Sequence, residues 1–115
     1  MRLGLSALAL ALAGIIVLAA CASTPDAPPP AAATAYGCQS GALIQASYPD
    51  TDHARIQYKG QTHTLTIAVS ASGARYVGEG IEWWTKGSGP GSSGSLFAHR
   101  SDGTSGEVIE TCTAR

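Results

Sequence analysis

The sequence predicts an all-β domain, a small antiparallel barrel or sandwich, from three observations. Apolar and polar residues alternate with a period of two, as in QTHTLTIAVS, where Leu65 and Ile67 are separated by threonines. Clusters of Gly, Ser, Asp and Pro divide such runs into about seven or eight short strands with no convincing helix. Two cysteines, Cys38 and Cys112, stand at the two ends of this region.

The first 20 residues predict a lipoprotein signal peptide. Arg2 is followed by an uncharged apolar run that ends in LAAC, which resembles the lipobox of bacterial lipoproteins. Cys21 is then the acylated first residue of the mature chain, anchored in a membrane. Ala22 follows at the position where an aspartate would resemble an inner-membrane retention signal, and this resemblance favours the outer membrane, with the domain facing the periplasm. An uncleaved membrane anchor and a plain secretory signal remain alternatives.

Residues 21–35 predict a tether, and residues 36–115 the folded domain. The tether carries the lipidated cysteine and then ASTPDAPPPAAATA, which has too little apolar bulk to offset the entropy of ordering. The domain has about 80 residues, a size at which one core is marginal without a covalent link. In an oxidising envelope compartment, Cys38 and Cys112 are most simply a disulfide.

Charge and ligand spacing exclude several function classes. The chain has net charge −1, and loss of Arg2 with the signal peptide leaves six basic against eight acidic residues. This balance argues against nucleic acid and mildly favours a basic protein partner. The three histidines are scattered and predict neither a metal site nor a cofactor. The sequence leaves the oligomeric state open.

The stretch SGARYVGEGIEWWTKG, residues 72–87, predicts a β-hairpin that turns at GEG. With Glu79 at the centre, Val77 faces Ile81 and Ser72 faces Lys86. Alternation then places one set of residues on the solvent face, namely Ser72, Ala74, Tyr76, Glu82, Trp84 and Lys86. The core set is Val77, Ile81 and Trp83. A bulge at either glycine would shift the register by one residue and exchange the faces.

Four short motifs together resemble a known family. They are Y-x-C at residues 36–38, SGARY at 72–76, WTKG at 84–87 and the closing Cys112. In combination they resemble the membrane-bound inhibitors of c-type lysozyme. The resemblance implies an eight-stranded antiparallel β-barrel tied by its terminal cysteines. It also implies that Ser72 and Lys86 meet the catalytic carboxylates of lysozyme. The other motif residues complete the expected lysozyme-binding set: Gly73, Arg75, Tyr76 and Trp84.

The expected function is therefore lysozyme inhibition and not catalysis. A serine nucleophile with a lysine base at Ser72 and Lys86 would need an S-x-x-K helix start or a nucleophile elbow, and neither is present. A structural or glycan-binding envelope lipoprotein remains the alternative. One departure from the family follows Gly87, where the chain inserts SGPGSSGS, residues 88–95. The entropy of ordering glycines favours a mobile spacer over a contact surface.

Overall fold

The computed structural model describes Gly14 and residues 32–115. Apart from Gly14, the predicted signal peptide lies outside these residues, as do the lipidation of Cys21 and most of the 21–35 tether. Within the described part of the chain, no helix has the length and apolar character needed to cross a membrane.

Eight antiparallel strands form a closed barrel in which each strand pairs with its neighbours in sequence and β8 pairs with β1. This confirms the all-β class and the eight-stranded barrel, and it decides between barrel and sandwich. The strands are β1 Thr34–Cys38, β2 Leu43–Asp50, β3 His53–Tyr58, β4 Gln61–Ala68, β5 Ala74–Gly78, β6 Ile81–Lys86, β7 Ser93–His99 and β8 Ser105–Ala114.

Alternate residues of the strands fill the barrel with a small apolar core. Trp83 is its largest fully buried side chain, and it packs edge-to-face on Tyr36 at a ring-centroid distance of 5.0 Å. Its indole Nε1 donates to the hydroxyl of Tyr48 at 3.2 Å. Gly94 leaves room for the indole, because a Cβ there would lie 2.5 Å from the Trp83 ring. The core is completed by Ile44, Ala46, Ala54, Ile56, Leu65, Tyr76, Leu96, Cys112 and Ala114.

The barrel closes where β1 meets β8. Three residue pairs join these strands, and one of them is Cys38 opposite Cys112. The two cysteines form a disulfide, which confirms the predicted bond. The bond therefore staples the seam that converts an open sheet into a barrel without edges.

The β5–β6 hairpin has a register one residue away from the predicted one. Gly78 pairs with Ile81, so Glu79 and Gly80 alone form the turn, at φ values of 52° and 77°. Two successive positive φ values are the signature of a type I′ turn, whose twist matches that of the flanking strands. The Glu79 carboxylate supports this turn by accepting a 2.6 Å hydrogen bond from the backbone N–H of Thr64 on β4.

The new register corrects the predicted faces. Trp83 is in the core and Trp84 is on the outer side, as expected. The prediction was wrong for β5, because Tyr76 now faces Trp83 and is buried, whereas Val77 faces Glu82. Ala74 moves inward with Tyr76, and Arg75 faces Trp84 on the outside.

The up-and-down topology brings two loops and the start of β1 to the same end of the barrel. Antiparallel succession places the β4–β5 loop (residues 69–73), the β6–β7 loop (residues 87–92) and the start of β1 at the same end, which we call the loop end. The hairpin turn at Glu79 and Gly80 lies at the opposite end.

Candidate functional site

The loop that carries Ser72 packs against Thr85 and Lys86 at the loop end, and Gly73 makes this close approach possible. A Cβ on Gly73 would overlap the backbone carbonyl of Thr85 and lie 2.9 Å from Cγ of Lys86. Gly73 also has φ +69°, a conformation that other L residues rarely adopt. The loop that carries Ser72 is therefore packed directly onto the end of β6.

Gly73→Ala is expected to lower the free energy of unfolding by about 1–3 kcal/mol, because strain at positive φ adds to a clash with backbone. Thermal denaturation measures it. Gly80→Ala is the matched control, since Gly80 has φ +77° on the same hairpin but open space around its Cβ position. Equal losses in the two variants would contradict the close packing of Gly73 on Thr85.

Trp84 fixes the backbone of the Ser72 loop. Its indole Nε1 donates to the carbonyl of Ser72 at 2.8 Å, and the hydroxyl of Ser70 donates to the same carbonyl at 3.1 Å and to that of Gly73 at 2.8 Å. The Ser72 side chain itself remains exposed. The loop thus presents a hydroxyl to solvent from a backbone that is held at several points.

The Lys86 ammonium is exposed and available for a partner. Its Nζ lies 5.9 Å from the centroid of the Trp84 ring, within the range of a cation–π contact. Among residues 32–115, no carboxylate forms an ion pair with it. A cation of this kind is not neutralised by its own protein and can meet a negative group on another one.

Arg75 lies next to the same ring, but its side chain is bonded within the barrel. Its Cζ is 5.9 Å from the Trp84 centroid, its Nε donates to Glu82 at 2.6 Å, and a terminal nitrogen donates to the carbonyl of Val69 at 3.3 Å. Only 16% of its side chain is exposed. Arg75 therefore borders the site through Trp84 and the β4–β5 loop.

Glu82 is a buried carboxylate that the sequence analysis placed on the solvent face. It projects from the outer side of β6, yet it is 0% exposed, because Arg75, His99 and Ser105 cover it. Burial raises the pKa of Glu82, but the hydrogen bonds from these three residues outweigh burial and hold the pKa below its ordinary value. The sequence does show opposite charges at Arg75 and Glu82 on one hairpin, but only the observed register places them on the same face.

Tyr76 is the one predicted site residue that the structure separates from the others. It is buried, and its ring lies 5.4 Å from the ring of Tyr48. Burial is the main cause that raises the pKa of Tyr76, and the nearby Tyr48 raises it further. Tyr76 lines a cavity of about 450 Å³ that opens at the loop end beside the β6–β7 loop. It supports the site from inside the barrel.

The inserted glycine-rich segment differs from the expected spacer. Ser93, Gly94 and Ser95 belong to β7. The residues before them are tied to the last strand, because Gly91 N–H donates to the Ala114 carbonyl at 2.9 Å and Ala114 N–H donates to the Ser92 carbonyl at 2.8 Å. The loop is thus an extension of the barrel wall beside Lys86.

One cluster in the described part of the chain has the composition of a metal site, but two of its three side chains form a disulfide. Cys38, Glu110 and Cys112 lie together, but both thiols are consumed by the disulfide. The histidines instead face carboxylates: His53 bonds to Asp50, His99 to Glu82, and His63 Nδ1 lies 3.6 Å from Glu79.

Comparison with known proteins gives a consistent result. A family model described as "Membrane-bound lysozyme-inhibitor of c-type lysozyme" matches residues 36–105. A protein of Cupriavidus necator named "Membrane-bound lysozyme inhibitor of C-type lysozyme" is 40% identical over 62 residues, which cover 51% of this chain and 50% of that protein. The chain thus matches about half the length of this curated relative. No solved structure matches the chain.

Proposed function

Because the chain belongs to the family of membrane-bound inhibitors of c-type lysozyme, we propose that it inhibits such an enzyme by placing Ser72 and Lys86 in the active-site cleft. The observation that carries this proposal is the exposed Lys86 ammonium, which has no carboxylate partner within residues 32–115 and lies beside the held loop of Ser72.

The chemistry of the target explains why these two groups are effective. A retaining glycosidase carries one carboxylic acid and one carboxylate about 5 Å apart. An ammonium group between them neutralises the negative charge, and a hydroxyl can accept from the protonated carboxyl and donate to the ionised one. Charge-assisted bonds of this type contribute roughly 1.5–3 kcal/mol each. The pair therefore competes with substrate at the catalytic centre.

The other predicted lysozyme-binding residues support the pair from behind. Gly73 allows the close approach of the Ser72 loop to β6, and Trp84 bonds to the Ser72 carbonyl while lying under the Lys86 cation. Arg75 borders Trp84, and Tyr76 packs beneath the hairpin. Because the hydrogen bonds exist before binding, little loop entropy is lost on association.

A cell-wall turbidity assay tests the proposal. The soluble protein that follows Cys21, residues 22–115, is expected to slow the clearing of a cell-wall suspension by a c-type lysozyme, and to leave a muramidase of unrelated fold unaffected. Full activity of every c-type lysozyme in the presence of excess inhibitor would overturn the proposal. Retention of the domain on purified peptidoglycan in that case would support the glycan-binding envelope lipoprotein instead.

We also propose that the protein is a lipoprotein of the outer membrane that faces the periplasm, anchored through Cys21. Cys21→Ser is expected to release the protein from membranes or to block its maturation, because the acylated residue is lost. Fractionation of cells followed by mass measurement checks this. A Cys21→Ser protein that stays membrane-bound at full length would indicate an uncleaved anchor.

A further inference from the structure

The buried carboxylate of Glu82 has no role in the barrel core. It lies on the outer side of β6, where strand residues normally meet water, and yet it is completely covered. Burying a charge costs several kcal/mol unless it is fully bonded, and apolar replacements of buried ion pairs are often neutral or stabilising. Stability alone therefore does not explain why a carboxylate occupies this position.

The bonds of Glu82 connect two distant parts of the fold. One oxygen accepts from His99 on β7, and the other accepts from Ser105 on β8 and from Arg75 on β5. Arg75 continues the chain of contacts to the carbonyl of Val69 in the β4–β5 loop. A continuous set of polar contacts thus runs from the far strands to the loop of Ser72.

We propose that Glu82 is a positioning residue for the inhibitory pair: it fixes Arg75, and Arg75 fixes the Ser72 loop and the Trp84 ring. This inference rests on the proposed function of Ser72 and Lys86. The Arg75 side chain is long and would gain rotamer freedom without its carboxylate. The loop would then lose its bond at Val69, and Trp84 would lose one of the two cations beside its ring.

Trp84 provides a spectroscopic reporter with an internal reference. The chain has two tryptophans. The indole N–H of Trp84 is bonded to the Ser72 carbonyl, whereas that of Trp83 is bonded to Tyr48 inside the barrel. Release of the loop therefore accelerates hydrogen exchange at the Trp84 indole and leaves the Trp83 indole protected.

The experiment compares Glu82→Gln, Arg75→Gln and the double variant with the parent. Each single variant is expected to weaken inhibition about tenfold, which corresponds to about 1.4 kcal/mol. The double variant is expected to inhibit as well as the less inhibitory of the two single variants, because both substitutions break the same chain of contacts. In all three, exchange at the Trp84 indole is expected to increase. Glu82→Met avoids an unpaired buried polar group and keeps the test open if Glu82→Gln does not fold.

Glu110→Gln is the matched control. Glu110 is the other buried carboxylate within residues 32–115, and it accepts from Ser40 and Tyr58 at the opposite end of the barrel. The Glu110→Gln protein is expected to be less stable than the parent, but to inhibit equally well and to keep the Trp84 indole protected from exchange. A Glu82 variant that is folded and inhibits within twofold of the parent would overturn the inference, as would effects of Glu82 and Arg75 that multiply in the double variant. Absence of inhibition by the parent would instead overturn the proposed function.

Discussion

Lys86→Ala is expected to weaken inhibition of a c-type lysozyme by about 30-fold to nearly 1000-fold, or roughly 2–4 kcal/mol. The substitution removes the cation that meets the catalytic carboxylates and leaves their negative charge uncompensated in a partly dry cleft. Lys86 is exposed at the end of β6 and forms no ion pair with another described residue. The melting temperature should therefore change little.

Ser72→Ala gives a graded comparison for the same measurement. It removes a neutral hydroxyl, so inhibition is expected to weaken by only about 1–2 kcal/mol, or roughly 5- to 30-fold. The backbone carbonyl of Ser72, which accepts from Trp84, is unchanged by this substitution. Inhibition constants and melting temperatures are measured on the same preparations. A folded Lys86→Ala protein that inhibits as well as the parent would refute the insertion of this pair into the cleft.

Loss of the Cys38–Cys112 bond is expected to have the largest effect on stability. The bond closes a loop with a sequence separation of 74 residues. The chain-entropy model gives about 4.5 kcal/mol for such a loop, and measured values for native disulfides are about 2–5 kcal/mol. A small domain has only about 5–15 kcal/mol in total. The double variant Cys38→Ala/Cys112→Ala should therefore melt on the order of 10–30 °C lower.

The position of the disulfide separates its effect from that of Lys86. It joins β1 to β8, and β8 is separated by β7 from the strand β6 that carries Lys86. At a temperature where the double variant is still folded, it is expected to inhibit as well as the parent. Calorimetry and inhibition assays on one preparation measure both quantities. A melting temperature unchanged by removal of both cysteines would show that the strand pairing alone holds the seam.

Much of the barrel could be predicted because its signals are local. The alternation around Leu65 and Ile67 gives strands, and the turn clusters give their limits. The disulfide could be predicted from the two cysteines, because an oxidising compartment and a small core leave few other uses for them. The prediction that Trp83 is in the core and Trp84 outside also held, since neighbouring strand residues must face opposite ways.

The set of site residues was predicted from motifs, but the way in which they are held was not. Ser72, Gly73, Trp84 and Lys86 are brought together, yet Tyr76 faces the interior and Arg75 is bonded to Glu82. The segment after Gly87 carries the composition of a spacer, but it pairs with β8. Composition reports the entropy that a segment loses on ordering, and not the partners that the fold supplies to offset it.

The sequence by itself determined the period of the strands, the staple and the identity of the exposed pair; the tertiary structure alone decided the phase between β5 and β6. Alternation fixes which residues of one strand share a face, but it does not fix how two strands are aligned. That alignment depends on a two-residue turn with Glu79 at φ 52°, and this turn is held by a hydrogen bond from Thr64 of β4. This register places Tyr76 inside the barrel and Arg75 beside Trp84, and the contact with β4 that supports the turn cannot be seen in the hairpin sequence.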